Sequence, residues 1–94
     1  MIKNHISRFK NINPIYLIDF SISEQYAFSE LEKRPESEIE ANINYLMKTA
    51  LYFGYKNLYS HLKRKAFETY QKTQNEKYLN IIEKNRVLER YADL

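Results

Sequence analysis

Tyr59, Lys63, Phe67 and Tyr70 recur at intervals of four, four and three residues. On a helix this spacing gathers them within about 80° of arc. Aromatic rings interleaved with cations suit contact surfaces: they favour interface centres and stacking platforms for nucleic acid. The four lie beside a second stripe, Leu58, Leu62 and Ala66. Together the two approach half of the helix circumference, whereas packing on a core needs a stripe only a little wider than ~100°. The surplus is either covered by another helix or presented to a partner. Lys56 and Arg64 add charge to this candidate partner-binding set, and Tyr52, on the preceding segment, adds an aromatic ring.

Other chemistry finds little support. His5 and His61 are the only histidines, neither has a histidine or acid four residues on, and no metal-ligand spacing exists. Glu36, Glu38 and Glu40 alternate by two, so on a helix the middle one points away from the others. They suit a helix start, where acids complement the dipole. One glycine cannot build a phosphate loop, and no Ser/His/Asp arrangement is present. The expectation is a chain that is no enzyme and takes no metal or cofactor.

Ala50-Leu51-Tyr52-Phe53-Gly54 resembles the Ala-x-x-x-Gly spacing at the heart of helix-turn-helix DNA-binding domains. That resemblance implies a recognition helix over Tyr59–Lys65, with Ser60, His61, Arg64 and Lys65 facing phosphates and bases. It covers about 20 residues and departs from the motif at Ser60 and Lys63, where buried apolar residues belong.

The elements that must position these residues are helical. The chain has 94 residues with one glycine, two prolines and no cysteine, so it lacks turn punctuation. An apolar share of 44% supports a globular fold, and the length is that of one domain, 1–94. Absent cysteine excludes a disulfide scaffold and fits a reducing cytoplasm. The apolar run Ile15–Ile18, closed by Asp19, is too short for a signal-peptide core or a membrane span. The richness in Lys, Asn, Ile and Tyr resembles proteins of AT-rich bacterial, phage or plasmid genomes.

A first helix is expected over 2–11, with Ile2, Ile6 and Phe9 on one face. Asn13-Pro14 reads as an N-cap and first helical residue, leading into a buried, all-round apolar stretch from Ile15 to Ile22. Ser21–Glu24 matches a capping box, and a helix through Ile22, Tyr26, Phe28 and Leu31 ends near Lys33, before Pro35. The helix over 36–53 carries Ile39, Ile43, Leu46, Ala50 and Phe53 on one stripe, with Tyr45 and Tyr52 opposite; Ser37–Glu40 offers it a second capping box. Past Gly54 the stripe jumps by about 150°, which places a turn at 54–57 with Gly54 as a left-handed C-cap. Helices over 57–72 and 74–92 follow; Thr73–Glu76 is a further capping box, and the last core face holds Tyr78, Ile81, Ile82, Leu88 and Ala92, with Asn85 on the same side. The fold class expected is all-α, a small bundle of five or six helices.

Charge is segregated along the chain. Residues 19–40 hold seven acids against Lys33 and Arg34, while 48–72 hold six bases against Glu68. Either an acidic and a basic helix lie side by side and neutralise each other, or a basic pole docks on an acidic partner. Nine tyrosines against no tryptophan predict many boundary rings with their hydroxyls near water. The leading functional reading is a non-catalytic protein–protein inhibitor or adaptor, immunity-protein-like or phage-inhibitor-like, with a protein partner that carries an acidic surface. The alternatives are a DNA-binding regulator using 48–72 and a homodimeric structural module.

Overall fold

The computed structural model describes residues 15–92, with the side chain of Tyr16 left aside. The expected helix over 2–11, its Asn13-Pro14 successor and His5 lie outside the described residues. A 3-10 turn, Ile15–Leu17, opens the described chain, and five α-helices follow: α1 (Glu24–Glu32), α2 (Glu36–Ala41), α3 (Ile43–Phe53), α4 (Lys56–Thr73) and α5 (Lys77–Tyr91). Among the described residues there is no strand. The fold is an all-α bundle.

The stretch from Ile15 to Ile22 is not a continuous buried helix. Asp19 Oδ1 accepts hydrogen bonds from both the backbone N–H and the hydroxyl of Ser21, at 3.0 and 2.5 Å. That side-chain capture turns the backbone out of helix. Ile15, Ile18 and Phe20 enter the core, while Leu17 and Ile22 stay exposed. The helix start also shifts: Ser23, not Ser21, is the N-cap, and its Oγ accepts the Tyr26 N–H at 3.0 Å.

The expected helix over 36–53 breaks at Asn42. Asn42 Nδ2 donates to the Glu38 carbonyl at 2.8 Å, and its own N–H turns to Ile39 at 3.1 Å. The side chain thus takes the carbonyl that the next helical turn requires. The stripe of Ile39, Ile43, Leu46 and Ala50 stays buried across the break, α3 adds Met47 and Leu51 to it, and Phe53 is left exposed. Tyr45 and Tyr52 lie on the outside, as the stripe requires. The Ser37 capping box does not form; α2 starts directly after Pro35.

Gly54 ends α3 with φ +73°. The Tyr55 N–H bonds the Ala50 carbonyl at 2.9 Å and the Gly54 N–H bonds Leu51 at 3.0 Å. This is a Schellman closure, which needs a left-handed residue at that position.

Helix α4 packs against all four other α-helices. It buries Leu58, Tyr59, Leu62, Ala66 and Thr69. Its N-terminus has no cap from its own sequence. Instead Glu24 reaches across from α1 and accepts the Leu58 N–H at 2.7 Å. A carboxylate there satisfies an orphan donor and complements the helix dipole. The Tyr55 hydroxyl donates to the Phe20 carbonyl, tying the same corner down.

Between α4 and α5 the Thr73 box is replaced by another device. The Thr73 hydroxyl bonds back to Thr69 inside α4, and Asn75 Oδ1 accepts the Lys77 N–H at 3.0 Å. Gln74 takes the left-handed conformation at φ +59°. Helix α5 buries Tyr78, Ile82 and Asn85, half-buries Ile81 and Ala92, and leaves Leu88 partly exposed. Asn85 Nδ2 donates to Asn44 Oδ1 at 3.1 Å and to the Ile81 carbonyl at 2.8 Å, linking α5 to α3.

Candidate interaction surfaces

The row Tyr59, Lys63, Phe67 and Tyr70 runs from the core on one side of the helix to the surface on the other, with Phe67 outermost. α5 returns antiparallel along α4. Tyr59 is only 4% exposed, so it is a core residue and not a contact residue. Its hydroxyl donates to Glu89 Oε2 at 2.5 Å, and Lys63 Nζ donates to the same oxygen at 3.0 Å. Burial, with the Glu89 hydrogen bond added, pushes the Tyr59 phenol well above its ordinary range. Burial pushes the Glu89 carboxyl up, but the bonds from Tyr59 and Lys63 outweigh it and hold it below the usual carboxylate range. Tyr70 is half-buried and packs on the core.

Phe67 and Arg64 remain outside. With Ser60 and Lys63 they form one wall of a shallow groove, and Ile82 and Arg86 of α5 form the other. Three cations and no carboxylate line it. Arg86 pairs with Glu83 at 3.1 Å, outside the lining. Arg64 has no carboxylate partner among the described residues.

The acidic and basic segments do lie side by side. Lys65 of α4 holds Glu36 of α2 at 2.7 Å, and Lys72 holds Glu40 at 3.1 Å. The Lys65 hydrogen bond lowers the Glu36 carboxyl below its ordinary range. His61 packs on Phe28 with ring centroids 5.3 Å apart, at the edge of a cleft between α1, α2 and α4. Burial, then the neighbouring Lys65 and Arg64 charges, push His61 down. Lys56 is exposed at the start of α4.

Tyr52 belongs to a different surface, a ridge at the end of α3. It stands edge-on to Phe53 with centroids 5.0 Å apart, and Phe53 stacks on Tyr55 at 5.6 Å. Leu88 and Tyr91 of α5 complete an open apolar groove against these rings, with Lys48 at its edge. Tyr52 and Tyr91 are 83% and 84% exposed, so neither hydroxyl nor ring is spent on the core. Phe53, Leu88, Tyr91 and Arg86 were not singled out in the sequence. The signal for Phe53 and Leu88 was masked because both fell on stripes assigned to the core.

Gly54 joins α3 to α4 as a helix-turn-helix would, but α4 is the central helix of the bundle. Of its bases, Lys63 and Lys65 are held by carboxylates of α5 and α2. Among the described residues no group of three or more His, Asp or Glu side chains could hold a metal ion, and no helix is long and apolar enough to cross a membrane. No protein-family model matches this chain, and neither curated proteins nor solved structures give a match to it.

Proposed function

We propose that this chain is a non-catalytic binding protein, a small cytoplasmic inhibitor or adaptor of the immunity-protein or phage-inhibitor kind that docks on another protein. The observation that carries the reading is the aromatic ridge of Tyr52, Phe53 and Tyr91 with Leu88. An exposed cluster of this type is what the centre of an interface uses, because tyrosine brings a large contact area at low entropic cost. The engagement of Lys63 and Lys65 in ion pairs favours this reading over duplex binding through α4.

The test is affinity capture from the native host by the wild-type protein and by a Tyr52→Ser, Tyr91→Ser variant. Both side chains are over four-fifths exposed, so the variant keeps its fold. The expected result is one stoichiometric protein partner that the variant fails to retain. Capture of nucleic acid alone, lost steeply with salt and indifferent to the ridge, would replace this reading with the DNA-binding one.

A further inference from the structure

We infer that the groove between α4 and α5 is a second binding site, and that its ligand is an acidic amphipathic segment of a protein partner, seated by an apolar anchor on Phe67 and Ile82. It rests on the protein-binding reading for the class of partner but uses a surface separate from the ridge. Lys63, Arg64 and Arg86 line the groove without any carboxylate, and its floor is aromatic and aliphatic. The cleft beside His61 and the one between α2 and α4 contain Glu32 and Glu36, or Glu36, Glu40 and Glu68, and so carry mixed charge. Of these three clefts, the α4–α5 groove alone presents one sign of charge beside apolar residues.

A single-sign groove selects its ligand by charge, while the anchor supplies the affinity. From Ser60 to Phe67 the wall spans eight residues, about 10 Å of helix. Two turns of a docked helix match that length, with anchors at the usual three- and four-residue spacing. Nucleic acid fits less well. Phe67 is the one ring among the lining residues, whereas strand binding relies on successive stacking faces.

The probe is a displayed library of random peptides about four helical turns long, panned on the full chain. Enriched peptides are then titrated into isotope-labelled protein and followed by NMR. The expected peptides combine Asp and Glu with one or two Leu or Phe anchors, and they shift Ser60, Arg64, Phe67 and Arg86. Arg64→Glu with Arg86→Glu weakens them at least about tenfold at low salt, as does Phe67→Ala. If the double reversal loses its helical circular dichroism, Arg64→Gln with Arg86→Gln replaces it, with a smaller loss in the same direction. Enrichment of neutral or basic peptides, shifts that map to the Tyr52–Tyr91 ridge, or no enrichment over empty support would overturn the inference. So would a single-stranded oligonucleotide that displaces the peptides from the same residues. Any of these outcomes, with ridge-dependent capture intact, refutes the groove and leaves the proposed function standing.

Discussion

Tyr59→Phe isolates the bond that closes α5 onto α4. The ring stays, so the buried volume is unchanged and no cavity term enters. What is lost is one hydroxyl donor 2.5 Å from Glu89 Oε2. A hydrogen bond to a charged group contributes about 1.5–3 kcal/mol. The Glu89 side chain is 22% exposed and keeps Lys63 at 3.0 Å, so the lower part of that range applies. The expected cost near neutral pH is therefore about 1.5–2 kcal/mol, or roughly 6–16 °C in melting temperature for a domain of this size. The acid limb gives a second check. Glu89 is held below its ordinary range, so its contribution is fully present above the unfolded value of about 4.3 and is lost as pH falls through the folded one. Removing Tyr59 Oη lets the Glu89 carboxyl rise, so the deficit of the variant is largest at neutral pH and shrinks in acid. On the alkaline side the sign is opposite. The raised Tyr59 phenol adds stability below its unfolded value of about 10, which wild type alone loses as pH climbs past it. Urea denaturation of both proteins at about pH 7 and pH 3 reads the first difference. An unchanged midpoint at neutral pH, or the same deficit at both, would refute the account of Glu89 as the clamp between these helices.

Leu46→Ala and Ile43→Ala are each expected to cost about 2–5 kcal/mol in the same assay, whereas Tyr45→Ala, on the exposed side of α3, costs well under that. Equal costs would contradict the helix phase described for α3. Gly54→Ala is expected to destabilise by about 1–2 kcal/mol because its φ of +73° penalises the Cβ of an L-residue, and a D-alanine introduced there by ligation recovers the loss. Asn85 is fully buried and its Oδ1 has no donor among the described residues. Replacing Asn85 and Asn44 together by leucine is therefore expected to leave the melting temperature equal or higher, since removing both partners removes the desolvation cost with the bond. A marked drop would show that this pair sets the docking of α3 on α5.

The helical class, the break at Gly54 and the outward placement of Tyr45 and Tyr52 were legible in the sequence. Each follows from local stereochemistry or from periodicity: scarce glycine and proline leave long helical runs, and a stripe that changes phase demands a turn. Asn42 and Asp19 were harder, because an amide or carboxylate capturing a nearby backbone group competes with helix by a margin that a periodic pattern does not register. The three capping boxes failed for a related reason. Ser, Thr and Asn candidates crowd each junction, and which one caps depends on where the neighbouring helix fixes the chain.

The site depended on tertiary structure more heavily. Tyr59, Lys63, Phe67 and Tyr70 share one helical face, and the sequence determined that much. It left open which part of the face another helix covers. Burial follows the position across that face: Tyr59 and Tyr70 lie within about 20° of each other on its inner side and pack on the core, while Phe67, about 80° round, stays exposed. Glu24 capping α4, Glu89 gathering Tyr59 and Lys63, and Tyr91 lining one groove with Tyr52 all bring together residues at least 26 positions apart. Periodicity acts over one or two turns and sets which side chains share a face. Contacts at those separations arise only when the helices pack, and that packing alone decides which shared face is left to bind.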